Sequence, residues 1–104
     1  MDATLLIYSG RPNPVWRVEE EFALEVERAI ADLPEAPEGA SPYGGLGYSG
    51  VRIDFTDTGG RRRQAMFGSG IALVDGRPLV DSGQRLERLI LASGRGRVPE
   101  VDSL

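Results

Sequence analysis

The amino-acid sequence predicts an α+β domain with two layers, in which about three to five strands form a mostly antiparallel sheet and two helices pack on one face. Two patterns and the chain length support this fold class. Apolar and polar residues alternate over 51–56, as in a half-buried strand. Apolar residues recur at steps of three and four over 19–33, as on one face of a helix. The 104 residues fit a single domain with a modest core.

The first elements are a strand and a helix. The short apolar segment TLLIYS at 4–9 is bounded by Gly10 and predicts a buried strand. The helix predicted over 19–33 begins with three glutamates, which the positive end of the helix dipole favours, and it ends at Pro34. The segment 34–45 is rich in proline and glycine and has no periodicity, so we expect an exposed connection.

Two hairpins are predicted in the second half of the chain. The strand at 51–56 is followed by turn residues and by a pairing strand at 61–67. The segment 71–80 predicts a shorter hairpin with an Asp-Gly turn at 75–76. Proline cannot donate a hydrogen bond to a sheet, so the arm that contains Pro78 is expected to be an edge strand or not to be a strand at all.

A second helix is predicted over 82–93. Asp81 is placed to cap it, with Gln84 completing a capping-box pair, and Gly94 is placed to end it. The remaining residues, 95–104, carry no comparable pattern. They predict a loosely docked C-terminal tail of the same domain.

The chain contains no Cys, His or Lys, and all twelve basic residues are Arg. These absences exclude a disulfide framework, a thiolate nucleophile, a zinc site of the usual type, a Ser-His-Asp triad and Schiff-base lysine chemistry. We therefore expect no catalytic residue, no cofactor and no metal site. An enzyme with this composition would have to use carboxylates, hydroxyl groups and arginines.

The formal net charge of −4 and the isoelectric point near 4.8 disfavour nucleic acid and anionic membranes as partners. No apolar run approaches the ~18 residues that a membrane span needs, and the N-terminal residues lack the pattern of a secretory signal. We therefore expect a cytoplasmic protein. Glutamates crowd 19–27 while arginines occupy 61–63, and this uneven distribution favours a protein partner.

The loop SGRPNP at 9–14 carries the main candidate binding residues. The prolines fix their own φ and keep the preceding residues, Arg11 and Asn13, out of the helical region, so the loop is stiff before it binds anything. In one interpretation, Arg11 and Asn13 recognise a carboxylate, a phosphate or a partner backbone, with Trp16 as an aromatic wall. In the other, Arg11 pairs with an internal acid, Asn13 holds its own turn and Trp16 fills the core.

The segment GLGYSG at 45–50 has the spacing G-x-G-x-x-G, but it does not predict a nucleotide site. In dinucleotide-binding domains those glycines follow a strand and open a helix. Here they precede the strand at 51–56. We expect the glycines to permit a tight turn, and Tyr48 to pack on the sheet edge or on the loop that carries Trp16.

The combination of SGRPNPVW and GLGYSG resembles the SGRPNPxW and LGYxG signatures of a group of small bacterial proteins of unknown function. In that group a tryptophan-containing loop precedes a helix, and the second signature precedes a strand. The similarity covers 9–16 and 46–50 specifically, with a general similarity in the closing helix. The resemblance implies no activity, ligand or partner. It implies that the two segments belong to one design and meet in space.

The combined prediction is a non-catalytic binding or interaction module that recognises a protein partner or a small anionic ligand, with Arg11, Asn13, Trp16 and Tyr48 as its binding residues. The alternative is a small enzyme, or an accessory subunit of an enzyme, that acts on a metabolite with carboxylate and arginine chemistry. A concave pocket lined by two acids would favour that alternative. A third possibility is a homo-oligomer that uses the edge near Pro78 or the surface around Trp16.

Overall fold

The structure is a computed structural model that describes residues 1–8, 10–43 and 49–104. The described residues form one antiparallel sheet and three α-helices, which confirms the α+β class. The helices are α1 (Glu20–Ala31), α2 (Arg85–Gly94) and α3 (Pro99–Asp102). The strands are β1 (Asp2–Leu5), β2 (Val15–Arg17), β3 (Val51–Thr56), β4 (Arg62–Gly68), β5 (Ile71–Val74) and β6 (Arg77–Val80). The sheet therefore has six strands, more than predicted, in the order β2-β1-β3-β4-β5-β6.

The alternation of apolar residues buries one face of the sheet. On β3, Val51, Ile53 and Phe55 are buried, and the residues between them are more exposed. α1 and α2 contribute buried residues such as Val26 and Ile90 to the same core. The two helices therefore pack on the face that these strand residues form. The opposite face carries mostly polar side chains on β1, β3 and the first half of β4.

The two predicted hairpins are present. The strand expected at 51–56 is β3, and its expected partner at 61–67 is β4, one residue further along the chain. In the β5–β6 hairpin, Asp75 and Gly76 have φ values of 49° and 86°. Positive φ at both central residues belongs to the tight two-residue turn that matches the twist of the flanking strands. The Asp-Gly pair thus fixes the register of this hairpin.

β6 lies at one edge of the sheet, as Pro78 predicted, but that edge is covered. The N–H of Ala36 donates to the carbonyl oxygen of Pro78 (3.1 Å), and the N–H of Val80 donates to the carbonyl oxygen of Pro34 (2.8 Å). The connection after α1 therefore runs alongside β6 and satisfies its outer backbone groups. The edge near Pro78 is therefore not open for pairing with a strand of a second copy, as the predicted oligomer contact would need.

β2 forms the other edge, and the sequence analysis did not predict this strand. Its three residues pair with β1, which places Trp16 opposite Ala3. The strand expected at 4–9 is β1, which begins and ends earlier than predicted. The guanidinium of Arg97 donates to the outward carbonyl oxygen of Arg17 (2.7 Å). This contact and the shortness of β2 leave little backbone for pairing with another strand.

α2 begins three residues later than predicted. Gly83 and Gln84 both have left-handed backbone angles, with φ of 65° and 57°, so the chain makes a short 3-10 turn before the helix starts. Asp81 still caps the helix from a distance, because its buried carboxylate accepts hydrogen bonds from the N–H groups of Leu86 (2.9 Å) and Glu87 (3.1 Å). The predicted capping box with Gln84 does not form.

The segment 95–104, expected to be a loosely docked tail, contains α3. Val98 directly precedes this short helix and Val101 lies within it, and both are buried in the core. Its first turn begins with Pro99, whose fixed φ and missing N–H suit that position. These apolar contacts hold the C-terminal segment against the domain. The segment thereby becomes a neighbour of the N-terminal loop.

Candidate functional site

The connection between β1 and β2 is held together by one side chain. The carboxamide oxygen of Asn13 accepts hydrogen bonds from the N–H groups of Ile7 (3.0 Å) and Tyr8 (2.7 Å). The backbone closes the same connection, because Leu5 donates to the carbonyl oxygen of Pro14 (2.9 Å). The oxygen of Asn13 is therefore committed to the loop itself. This contact matches the interpretation in which Asn13 holds its own turn. Of its side-chain groups, the NH₂ group remains for a ligand.

Arg11 projects from the same loop into solvent. Its guanidinium carbon lies 3.7 Å from the centre of the Tyr8 ring, a close cation–π contact. The hydroxyl of Tyr8 donates to Oε2 of Glu100 in α3 (2.9 Å). No carboxylate among the described residues lies within ion-pair distance of Arg11. We name these three side chains, Arg11, Tyr8 and Glu100, the arginine stack.

Trp16 lies in the core and not at the surface. Its side chain is 5 % exposed, and the indole Nε1–H donates to Oγ of Ser93 in α2 (2.9 Å). Gly94 packs against the indole ring, since a Cβ atom at this position would lie 2.9 Å from Cε2. We name these residues, Trp16, Ser93 and Gly94, the indole anchor. Trp16 therefore presents no aromatic wall to a ligand and no surface for an oligomer contact.

Tyr48 lies outside the described residues. The residues that follow it are described, and they pair with the end of the first strand: Ser49 donates to the carbonyl oxygen of Leu6 (2.8 Å), and Leu6 donates to that of Gly50 (2.9 Å). Gly50 has a φ of 122°, and a Cβ atom there would lie 2.1 Å from the carbonyl oxygen of Phe67. Only glycine fits this approach. The last residue of the second signature, Gly50, is thus paired through the backbone with Leu6, which lies two residues before Tyr8 in the sequence.

Two members of the arginine stack were missed by the sequence analysis. The sequence predicts Tyr8 in a buried strand, but β1 ends at Leu5 and the ring of Tyr8 is half-buried under Arg11. Glu100 belongs to the segment that the sequence predicts to be a loosely docked tail. It is separated from Tyr8 by 92 residues along the chain. The pattern of a single sequence contains no signal for a contact at that separation.

A broad open depression of about 1020 Å³ lies against the polar face of the sheet. Three aspartates line it, but each is paired with an arginine: Asp2 with Arg17 (3.6 Å), Asp54 with Arg52 (3.1 Å) and Asp75 with Arg63 (2.8 Å). The N–H of Gln64 and then the guanidinium of Arg63 lower the pKa of Asp75, so this carboxyl is ionised at neutral pH. The arrangement is that of a salt-bridged strand surface and not of a separated acid and base.

Among the described residues, no group of three or more acidic side chains is arranged to hold a metal ion. None of the helices in the described ranges combines the length and the apolar character that crossing a membrane requires. Comparisons with protein-family models, curated proteins and solved structures find no match to this chain. The function is therefore inferred from the chemistry of the arginine stack.

Proposed function

We propose that the protein is a non-catalytic binding module that recognises an anionic group, on a protein partner or on a small molecule, through Arg11. The observation that carries this proposal is the placement of the Arg11 guanidinium, which is exposed, stacked on Tyr8 at 3.7 Å and without a carboxylate partner among the described residues. An arginine used only for structure would be expected to pair with an internal acid. Two arginines of the sheet, Arg52 and Arg63, do pair with acids of the same chain, Asp54 and Asp75.

The surroundings of Arg11 lower the entropic cost of binding. Stacking on an aromatic face holds the flat guanidinium in one orientation and leaves its N–H edge free to contact both oxygens of a carboxylate. Asn13 fixes the loop backbone through two hydrogen bonds, and Pro12 restricts it further. Glu100 fixes the ring of Tyr8 from the other side. A side chain that is already ordered loses less freedom when its ligand binds.

The remaining predictions are part of the same proposal. The pairing of Leu6 with Ser49 and Gly50 brings the end of the second signature beside the residues that lead into the first. This proximity supports one shared site for the two signatures, and hence the proposed relationship to the group of small bacterial proteins. Tyr48 directly precedes this pairing and stays a proposed binding residue. A cytoplasmic location also stays a proposal.

The proposal is tested by titrating ¹⁵N-labelled protein with N-acetylglutamate and following the Nε–Hε resonance of Arg11. We expect this resonance to shift and saturate, because a bidentate carboxylate changes the environment of that proton directly. Arg28→Gln is the matched control, because it removes one exposed arginine from α1 and changes the net charge equally. Arg11→Gln should abolish the saturating response of the loop residues, and Arg28→Gln should preserve it.

Two variants of Tyr8 separate the stack from the bare charge. Tyr8→Phe keeps an aromatic face under Arg11 and removes only the hydrogen bond to Glu100, whereas Tyr8→Leu removes the face itself. We expect the phenylalanine variant to bind N-acetylglutamate nearly as well as the original protein and the leucine variant to bind it less tightly. An Arg11 resonance that does not respond to N-acetylglutamate at all would overturn the proposed function.

A further inference from the structure

Four arginines belong to the segments that meet at the β2 edge of the molecule. The guanidinium of Arg97 contacts the carbonyl oxygen of Arg17 directly (2.7 Å), and Arg95 is exposed in the same connection between α2 and α3. Arg17 is the last residue of β2, and its side chain is 75 % exposed. Arg11 lies in the loop that precedes β2 and stacks on the tyrosine that contacts α3. We name these four residues, Arg11, Arg17, Arg95 and Arg97, the arginine strip.

The acidic residues of the same region already have partners. Glu100 accepts the hydroxyl proton of Tyr8, and Asp102 accepts a hydrogen bond from the N–H of Gly96 (3.0 Å). Asp2 lies at a loose 3.6 Å from Arg17, and both side chains are more than half exposed. Such an exposed pair exchanges readily with another carboxylate. These carboxylates keep their charge, but no described carboxylate lies within ion-pair distance of Arg11, Arg95 or Arg97. Four guanidinium groups therefore stand beside three carboxylates, and positive charge is in excess on this surface of a protein whose net charge is −4.

We infer that the arginine strip binds an extended acidic segment of a protein partner, which would place one carboxylate on Arg11 and further carboxylates on the remaining arginines. This inference rests on the proposed function and extends it from one anionic group to a row of them. Val15, the first residue of β2, is 61 % exposed and adds an apolar contact for the aliphatic part of such a segment. Both the charge and this apolar residue fit a polypeptide.

The boundaries of the strip favour an acidic peptide over a nucleic acid. One buried residue, Val18, separates β2 from the exposed glutamates at 19–21, and α1 begins at Glu20. A phosphate backbone that extended past the strip would meet these carboxylates, whereas a peptide segment can change its charge from one residue to the next. The aromatic ring that adjoins the strip is Tyr8, and Arg11 already covers one of its faces, which leaves less of it for stacking with a base.

The test uses the full chain and fluorescein-labelled tetraglutamate as the probe, with binding followed by fluorescence anisotropy. An extended tetrapeptide is about 13 Å long, less than half of the two longer dimensions of the molecule (31 × 30 × 24 Å), so it does not span the whole surface. We expect Arg95→Gln combined with Arg97→Gln to weaken binding about five- to tenfold, since each lost charge pair is a modest contribution. The matched control combines Arg28→Gln with Arg88→Gln, two exposed helix arginines outside the strip, and should change binding less than twofold.

Arg95→Gln is also measured alone, because Arg97 contacts the backbone of β2 and its replacement can alter local structure. Equal binding by the Arg95→Gln variant, the double variant and the control would overturn the inference. If the Nε–Hε resonance of Arg11 still shifts and saturates with N-acetylglutamate in that case, the proposed function stands without the strip. If N-acetylglutamate fails to bind, the proposed function falls and the inference falls with it. Tighter binding of a single-stranded DNA of equal charge would reject the choice of an acidic peptide.

Discussion

The indole anchor and the arginine stack each take their central side chain from the same short motif at 9–16, yet one of these side chains is buried and the other is exposed. Trp16 and Arg11 are five residues apart in the sequence. The indole is buried and donates to Ser93 across 77 residues of chain, whereas the guanidinium is exposed and is linked to the C-terminal segment through Tyr8. The motif thus fixes the N-terminal hairpin to the last helices with one residue and presents a cation with the other.

The difference follows from backbone geometry. On a strand, successive side chains point to opposite faces, so the pairing of Trp16 with the buried Ala3 turns the indole inward and turns Val15 and Arg17 outward. Arg11 precedes the strand and is followed by proline, which disfavours the helical region for it, and it lies in a bend outside the sheet. Stability and binding are therefore separable within this motif, and substitutions should affect one or the other.

The largest effect is expected for Trp16→Ala. Replacing a buried aromatic side chain with alanine removes its packing and leaves a cavity, at a cost of about 3–5 kcal/mol in the free energy of unfolding. Urea unfolding measures this loss directly. Trp16→Phe is the control, because it keeps an aromatic ring and removes only the hydrogen bond to Ser93 and part of the volume. A loss below about 1 kcal/mol for Trp16→Ala would show that the indole is not a core residue.

A smaller effect is expected for Gly94→Ala, which tests the indole anchor from the opposite side. Alanine is the better helix former by about 1 kcal/mol, but its Cβ atom would lie 2.9 Å from Cε2 of Trp16, and the cost of such overpacking is about 1–3 kcal/mol. We therefore expect a net loss of about 1 kcal/mol by urea unfolding. In the Trp16→Phe background the smaller ring should relieve the clash, so Gly94→Ala should become neutral or stabilising. Additive effects of the two substitutions would contradict the contact.

Asn13→Ala lies between the two regions and should affect both. It removes the acceptor of two half-buried backbone N–H groups, those of Ile7 and Tyr8, and we expect a loss of about 1–3 kcal/mol in stability. Because the same contacts order the loop beneath Arg11, N-acetylglutamate should also bind less tightly. Asn13→Asp keeps a carbonyl-type acceptor and should retain most of the stability. Unchanged binding by Asn13→Ala would separate loop order from recognition.

Much of the fold was predictable because its signals are local. The alternation of Val51, Ile53 and Phe55 identified β3, and the Asp-Gly pair at 75–76 identified the β5–β6 turn. β2 escaped prediction because it has three residues, only one of which is buried. Its existence depends on pairing with β1, and a strand that short contains too few positions to show alternation. α2 starts later than predicted because Gly83 and Gln84 both have left-handed backbone angles. The conformational preference of glutamine does not predict such an angle at Gln84.

The candidate site was predictable only in part, for a related reason. The stiffness of the loop follows from its prolines, and the alternative roles of Asn13 and Trp16 were both foreseen. Which alternative applies depends on tertiary contacts, since the partner of Trp16 is Ser93 and the support of Arg11 is completed by Glu100. These residues come from the end of the chain, where the apolar Val98 and Val101 dock a segment that shows no helical periodicity in the sequence.

The smallest effect on stability is expected for Arg11→Gln, and this result is the one that separates the two regions most sharply. An exposed cation–π contact contributes about 0.5–1 kcal/mol, which corresponds to a change in Tm of no more than about 5 °C for a domain of this size. The same variant should lose its response to N-acetylglutamate, so a nearly unchanged Tm must accompany lost binding. Trp16→Phe should show the reverse, with a lower Tm and retained binding. If Arg11→Gln unfolds the protein, the guanidinium is a structural group, the loop has the same role as the indole anchor, and neither the binding site nor the arginine strip can be assigned to it.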